Sequence, residues 1–557
     1  MHKLLLFTAV VGVSAFASPQ AAPSATRVNP KACARISSSR TSTFPASFAY
    51  ECLRSVPNRI QPAQQLIQSL KAFVEWQSTL AWLKNPPKSY GFPAVDIQGS
   101  LDKILETAKQ GRYESEYDFQ VAITQTISAA HDGHFFYTPD VFKAFTFENR
   151  LAQDIVSVSI DGVSLPKLYR FLQDFLTQCR STKKQRLVID LTSNGGGLIA
   201  AGFALFAQLF PGVNRFTANN MRLADSLVDI SQIFSSLSPQ DKAEASQTFG
   251  AFFNNISPTG VAEPQGDKFM SVADIMTPVT LQNDKFTEYI GEPYSVLAAS
   301  GNGNGGQATS PSSPFKPENI VLLTDGACSS TCTTFSYLML FQERVKTVSV
   351  GGRPQNTQMQ SLGGVEGGQS LGMSDIAQAA FVALSLVAGQ GQAQPKTPQN
   401  SDLGVLNKAY AVQRAADLNT PGGVNFKNNF APSDSKTPLQ FLYEPANCRF
   451  FYTLDMISNP EPVWEYAVDA SWTDPEKYCV RGSRVAVDGP RPIDPAFAKD
   501  SATTGGNGGS AGNGKGGTDG TDGAKDEDEN AAEGVLARSS IRIMCLLAVV
   551  SVLMLCL

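Results

Sequence analysis

Asn319-Ile320-Val321-Leu322-Leu323-Thr324-Asp325-Gly326-Ala327-Cys328-Ser329-Ser330-Thr331-Cys332 reads as a strand, a tight turn and the opening of a helix. The apolar run ends at Asp325-Gly326, a turn dipeptide. Beyond the small residues, Phe335, Leu338, Met339 and Phe341 recur at helical spacing. A hydroxyl on the first turn after a buried strand lies where helix N–H groups are unpaired and the local potential is positive. Those conditions suit a nucleophile whose product oxyanion forms beside it. The same geometry also suits a serine that only caps its own helix.

A second unit repeats this layout upstream. Arg186 to Leu191 is a buried-strand run, Thr192-Ser193-Asn194-Gly195-Gly196-Gly197 is the turn, and Leu198 to Leu209 is a helical pattern. A tight turn needs one or two glycines; three let backbone amides approach a substrate closely. Val345 to Val350 supplies a further strand. Strands that are apolar throughout, alternating with helices, predict α/β layering around a sheet covered on both faces. Before them, residues 33 to about 130 read as mainly helical. One run opens at Pro62, carries Leu66, Leu70, Phe73, Gln77 and Leu80 at helical spacing, and closes at Asn85-Pro86-Pro87. Two more span Asp96 to Lys109 and Glu116 to Ala130. The last breaks at His131-Asp132-Gly133-His134 before the strand-like Phe135-Phe136-Tyr137. Ala152 to Ile160 alternates like a half-buried strand.

Both ends carry processing signals. A basic start, the apolar core Leu4 to Val13 and the exit Ala15-Phe16-Ala17 predict a signal peptide over residues 1–17. Ile543 to Leu557 is apolar and short for a membrane span, with a spacer before it and the small triplet Asn530-Ala531-Ala532 before that. This order predicts a glycolipid (GPI) anchor signal over 531–557, with Asn530 the attachment residue. The Gly/Ser/Asp-rich run before it predicts a flexible stalk over 491–530. The chain is then expected at the extracellular face, touching membrane only through the lipid. Asn255-Ile256-Ser257 is a glycosylation sequon. Removal of the tail leaves seven of nine cysteines. Proximity pairs Cys33 with Cys52 and Cys448 with Cys479, and one cysteine is left over or pairs between chains. Cys328 and Cys332 are expected to be too helical to bridge each other. Net charge is −5 from 45 basic and 50 acidic residues, with no basic patch, which argues against nucleic acid as a partner.

Of three histidines, His2 leaves with the signal peptide, so a general base for a serine must be His134 or His131. His-Asp-Gly-His has no third soft ligand nearby, and no metal or other cofactor is expected.

The motifs together resemble the tail-specific (C-terminal processing) serine peptidases. Asp190 to Gly197 is similar to the family's oxyanion strand and loop, Asp325 to Thr331 to its nucleophile turn, and Asp132-Gly133-His134 to its Asp-x-His segment. The order resembles the branch of the chlamydial protease-like activity factor and secreted fungal relatives. That resemblance implies a crotonase/ClpP-like α/β core over 186–490. It also implies a helical N-terminal region over 33–150 and a reduced PDZ-like or connecting segment over 151–185. It assigns Ser330 as nucleophile (Ser329 the alternative), His134 as base, and Thr331 with Gly196 or its neighbour as oxyanion donors. Glu444 becomes the orienting acid, with Glu366 its rival. A Lys dyad would need lysine where Gln355 stands. The activity implied is hydrolysis of protein or peptide substrates through an acyl-enzyme. A catalytically silent surface relative and an esterase using the same site are the alternatives.

Overall fold

The computed structural model describes residues 32–39, 41–146, 165–213, 215–248, 250–264, 268–292, 315–389, 402–487, 492–497 and 553–556. The signal peptide, the strand expected at 152–160, Asn530 and its spacer lie outside them, as does the stalk beyond Phe497.

Among the described residues, eleven strands form three sheets. In chain order they are β1 (Phe136–Tyr137), β2 (Leu187–Asp190), β3 (Asn219–Met221), β4 (Val279–Leu281), β5 (Asp284–Phe286), β6 (Ile320–Thr324), β7 (Lys346–Val350), β8 (Gln369–Gly372), β9 (Gly422–Asn429), β10 (Cys448–Phe450) and β11 (Leu553–Cys556). The five-stranded sheet runs β10-β7-β6-β2-β11, with the first four strands mutually parallel and β11 antiparallel on the edge of β2; β11 lies inside 531–557, so it belongs to the sheet only in the chain that keeps the expected anchor signal. Its apolar strands are explained by burial on both faces. Leu187, Ile189 and Leu322 face Phe203, Phe206 and Phe335 of the helices Ile199–Leu209 and Thr331–Tyr337. Val188, Val321 and Leu323 point the other way, toward Val463 and Ala467 of the helix Glu461–Val468. The fold is mixed α/β, with a helical N-terminal region as the sequence predicts.

The second sheet is antiparallel, ordered β1-β9-β3 with β8 also on β9. β9 is buried along its whole length, although Asn425, Lys427, Asn428 and Asn429 lie in it. N-terminal helices cover it. Ile97–Lys109 and Glu116–Ser128 begin at Asp96 and Ser115, whose side chains accept from Gly99 N and Asp118 N. Trp76 stacks on Phe426 with centroids 5.7 Å apart.

Four expectations need correction. The helical run from Pro62 is broken: Ile60–Val74 ends, and a short helix resumes at Leu80–Lys84. Gln77, Ser78 and Thr79 in the break are buried, because Ser78 N donates to Asn425 O across to β9 at 2.9 Å. The stalk does not begin at 491. Phe497 is buried against Phe216, Tyr289 and Phe430, and Asp494 N donates to Pro432 O, so the folded part reaches at least that far. Asn255 and Ser257 are buried, so the sequon is not displayed on the folded surface. Finally, Cys328 and Cys332 are bridged, with Cα atoms 5.4 Å apart, because the helix starts only at Thr331. The Cys33–Cys52 and Cys448–Cys479 pairs form as expected. Cys179 is disulfide-bonded as well, but the other six pair among themselves, so within the seven it is the one left over, as expected.

Candidate active site

The parallel sheet presents two loops from neighbouring strand ends. Asp190 lies opposite Leu323, so the turns after β2 and β6 emerge side by side. Asp325 ties them together. One carboxylate oxygen accepts from Ser193 N at 2.8 Å and Ser193 Oγ at 3.0 Å, and the other accepts from Ala327 N at 3.0 Å. Ser329 N donates to Asn194 O at 3.0 Å. Ser329 Oγ donates to Ala327 O at 3.0 Å, which turns that hydroxyl back into its own loop. Ser330 adopts φ 57° and ψ −120°, a left-handed backbone that a non-glycine residue rarely holds, and makes no side-chain cap bond to its helix. Its N–H donates to Val365 O at 2.6 Å, which leaves Oγ free to project into the site.

The antiparallel sheet presents the other half. β1 and β9 pair Phe136 with Gly423, and continuing that register two residues back sets His134 opposite Asn425. His134 is buried. Its Nε2 lies 3.1 Å from Ser330 Oγ, and its Nδ1 lies 3.1 Å from Asn425 Oδ1. An amide oxygen can only accept, so Nδ1 carries the proton and Nε2 presents its lone pair to the serine hydroxyl. A closed ring of hydrogen bonds fixes this arrangement. His134 N donates to Asp132 Oδ1 at 3.0 Å, Gln77 Nε2 to Asp132 Oδ2 at 2.9 Å, and Asn425 N to Gln77 Oε1 at 2.7 Å. Asn425 Nδ2 donates to Ser78 Oγ at 3.2 Å. A Cβ on Gly367 would sit 1.7 Å from Asn425 Oδ1, so only glycine lets the loop between β7 and β8 lie on this amide. Burial pushes the Asp132 carboxyl up, while the nearby His134 and the hydrogen bonds from Gln77 and the backbone pull it back.

The oxyanion side is built from close backbone approach. A Cβ on Gly196, at φ 100°, would meet Ser329 O at 2.6 Å and Ser330 Cβ at 2.7 Å. Thr331 N–H, at the start of its helix, donates to no protein acceptor among the described residues. Gly196 N–H donates to Asn194 Oδ1 at 2.9 Å. That corrects the expectation of Gly196 as an amide donor here: it supplies proximity, and its N–H is taken.

The structure therefore brings Ser330, His134, Gly196 and Thr331 together. It does not bring Glu444 to the imidazole. Glu444 O accepts from Ser361 N at 3.0 Å, its carboxylate raises the neighbouring Glu366 carboxyl, and both imidazole nitrogens have other partners. The reason is topological: β9, and not the segment 441–445, runs beside β1. Glu366 is buried with its carboxylate accepting from the Tyr337 hydroxyl and from Gln360 Nε2, also away from the imidazole. Its desolvation pushes the carboxyl well above the usual carboxylate range. His131 is exposed and stacks on Phe92, centroids 3.9 Å apart. Sequence reasoning missed Asn425, Gln77 and Ser78. The signal available in the sequence is the alternation Asn425, Lys427, Asn429, the polar face of β9.

Comparison with known proteins gives the family. A profile of peptidase family S41 matches residues 154–363, a span that holds Ser330 and the glycine loop but neither His134 nor Asn425. The peptidase S41 family protein ustP of Aspergillus flavus is 32% identical over 327 residues, covering 56% of this chain and 67% of that protein. The chain belongs to peptidase family S41. Two further family S41 proteins, phomP1' and phomP1 of Diaporthe leptostromiformis, are 28% and 27% identical over 364 residues. Against each of these the alignment covers 59% of this chain and 54% of the relative, so the S41 chain spans about half their length. Membership makes it a serine-type peptidase by family, which is the chemistry that a serine in reach of a tautomer-fixed imidazole can perform.

Proposed function

We propose that this S41 chain is a secreted, surface-anchored serine endopeptidase with a crotonase/ClpP-like core, acting through Ser330, His134 and Asn425. The observation that carries the reading is the imidazole held at both nitrogens: 3.1 Å to Ser330 Oγ on one side and 3.1 Å to Asn425 Oδ1 on the other. His134 Nε2 takes the hydroxyl proton as Ser330 Oγ attacks the peptide carbonyl carbon. Thr331 N–H receives the oxyanion, with a second amide from the glycine loop beside it. The imidazolium then gives its proton to the leaving amine. A water, deprotonated by the same nitrogen, hydrolyses the acyl-enzyme. Asn425 keeps the ring in register throughout and stays neutral.

A serine-directed fluorophosphonate probe on the purified chain tests this. Labelling should map to Ser330 and disappear in Ser330→Ala and in His134→Ala, with secretion intact. Labelling that persists in Ser330→Ala places the nucleophile elsewhere. A folded wild type that never labels and cleaves no peptide is a silent relative.

A further inference from the structure

The nucleophile lies midway between two bonded cysteines. Cys328 and Cys332 stand two residues to either side of Ser330, and both are buried in the cluster of Leu322, Phe335 and Met339. Between them the backbone is forced out of the helix that follows, since Ser330 has φ 57°. Hydrogen bonds hold the turn from outside: Ser329 N to Asn194 O at 3.0 Å, Ser330 N to Val365 O at 2.6 Å and Gly364 N to Cys328 O at 3.2 Å. The disulfide is the covalent closure of the same turn.

An alternative conformation is close at hand. Thr334 N already donates to Ser330 O, as a helix extended backwards would require. If Ser330 moved to a right-handed φ, the helix Thr331–Tyr337 could grow over the preceding residues. Thr331 N–H would then donate to Ala327 O in the ordinary i to i−4 pattern, and the oxyanion donor would be lost. Ser330 Oγ would rotate with its backbone, away from His134. Cβ atoms four residues apart in a regular helix lie about 5–6 Å apart, beyond the roughly 3.5–4.5 Å a disulfide needs, so the bridge ties the segment into the turn instead.

We propose that the Cys328–Cys332 disulfide is the positioning device of the nucleophile, holding Ser330 left-handed and Thr331 N–H unpaired, and that its reduction switches acylation off. The inference rests on the peptidase reading for its activity arm. The chemistry is thiol–disulfide exchange with a small dithiol. One thiolate of the dithiol attacks a bridge sulfur to give a mixed disulfide, and its second thiolate closes the dithiol into a cyclic disulfide. Two electrons pass to the protein sulfurs, which take up two protons as Cys328 and Cys332 thiols. Because both sulfurs are buried, exchange waits on local opening of the turn.

The test uses the full chain. Cys328→Ala/Cys332→Ala is compared with Cys448→Ala/Cys479→Ala as a control that removes a distant bridge. Fluorophosphonate labelling of the first should fall about 100-fold, the loss typical of an ångström-scale misplacement. Peptide KM should change little, and the control should label like wild type. Labelling of Cys328→Ala/Cys332→Ala at the wild-type rate overturns the proposal. Should that variant not fold, wild type is titrated with dithiothreitol, alkylated and mapped by mass spectrometry. Labelled Ser330 should occur only in peptides with the bridge intact and return on reoxidation; label beside alkylated cysteines overturns the proposal. If oxidised wild type does not label at all, the peptidase reading fails, and amide hydrogen exchange decides the bridge alone. Reduction should then slow exchange at Thr331 as its N–H enters the helix, and unchanged or faster exchange there overturns the switch.

Discussion

Replacing Asn425 by alanine removes one acceptor from the imidazole while leaving the strand in place. The backbone bonds of residue 425, N to Gln77 Oε1 at 2.7 Å and O from Ser78 N at 2.9 Å, do not involve the side chain. What is lost is the 3.1 Å partner of His134 Nδ1, together with the Asn425 Nδ2 bond to Ser78 Oγ at 3.2 Å. A buried donor left without an acceptor costs about 1–3 kcal/mol. The imidazole escapes that cost by changing tautomer or rotating, and either motion takes the Nε2 lone pair from Ser330. If that energy is lost from the transition state, kcat falls by about 5- to 150-fold, at 1.36 kcal/mol per factor of ten. KM should stay close to wild type, since Asn425 is buried behind the ring and touches no substrate. Steady-state cleavage of a fluorogenic peptide gives kcat and KM separately, and the fluorophosphonate labelling rate should fall in parallel with kcat. Wild-type kcat in Asn425→Ala would falsify the assignment of Asn425 as the group that orients His134.

Two further perturbations probe the loop between β7 and β8. Gly364→Ala would place a Cβ 2.5 Å from Cys328 O and 1.8 Å from Ser329 Oγ, so the loop must shift and carry Val365 O away from Ser330 N. Overpacking of this kind costs about 1–3 kcal/mol of stability. A displaced nucleophile costs roughly 10²-fold in rate; unchanged activity would show that Val365 O does not hold Ser330. Glu366→Gln tests the buried carboxyl through stability. The folded-state pKa of Glu366 lies well above its ordinary 4.5, so above that value the unfolded chain releases a proton that the folded chain keeps. Wild-type stability therefore loses ground as pH rises from 4.5 toward the folded pKa. Glu366→Gln carries no such proton, and its melting temperature relative to wild type should climb between pH 4.5 and 7; parallel curves would contradict the assignment.

The sequence made the parallel sheet readable because its strands are apolar on both faces, and the helices Ile97–Lys109 and Glu116–Ser128 because their caps and periodicity agree. It failed where tertiary pairing overrides local preference. Gln77 continues the helical spacing of Leu66, Leu70 and Phe73, yet the chain breaks there to reach β9. β9 itself opens with two glycines and carries asparagines, residues depleted in strands, so propensity hides it. The resemblance favours Ser330 over Ser329 by one position of register only, and the structure separates them by a backbone angle and by the contacts with Val365 and Asn194. The same angle explains why a bridge that helical spacing discourages is formed. The family resemblance points to Glu444 as the orienting acid, and nothing local to residue 425 advertises that an amide takes the role.

An amide there follows from what already surrounds the imidazole. Asp132 is buried, accepts from His134 N and from Gln77, and its carboxyl is pushed up by desolvation and pulled back by His134. The next link in the ring, Gln77 Oε1, accepts from residue 425 itself. A carboxylate at 425 would put two buried acids about one imidazole with only Gln77 and the ring between them. Like charges so placed do not both ionise: one takes up a proton, and the pair titrates as a unit. The proton shared by such a pair could then reside on either acid, and with it the hydrogen bond that fixes Nδ1. A neutral acceptor removes that ambiguity. Asn425 gives Nδ1 the same oxygen at every pH, while Asp132 accepts from the backbone N–H of His134 and from Gln77. The division of labour, amide for the ring and carboxyl for the backbone beneath it, is what this half of the site brings to the serine of the parallel sheet.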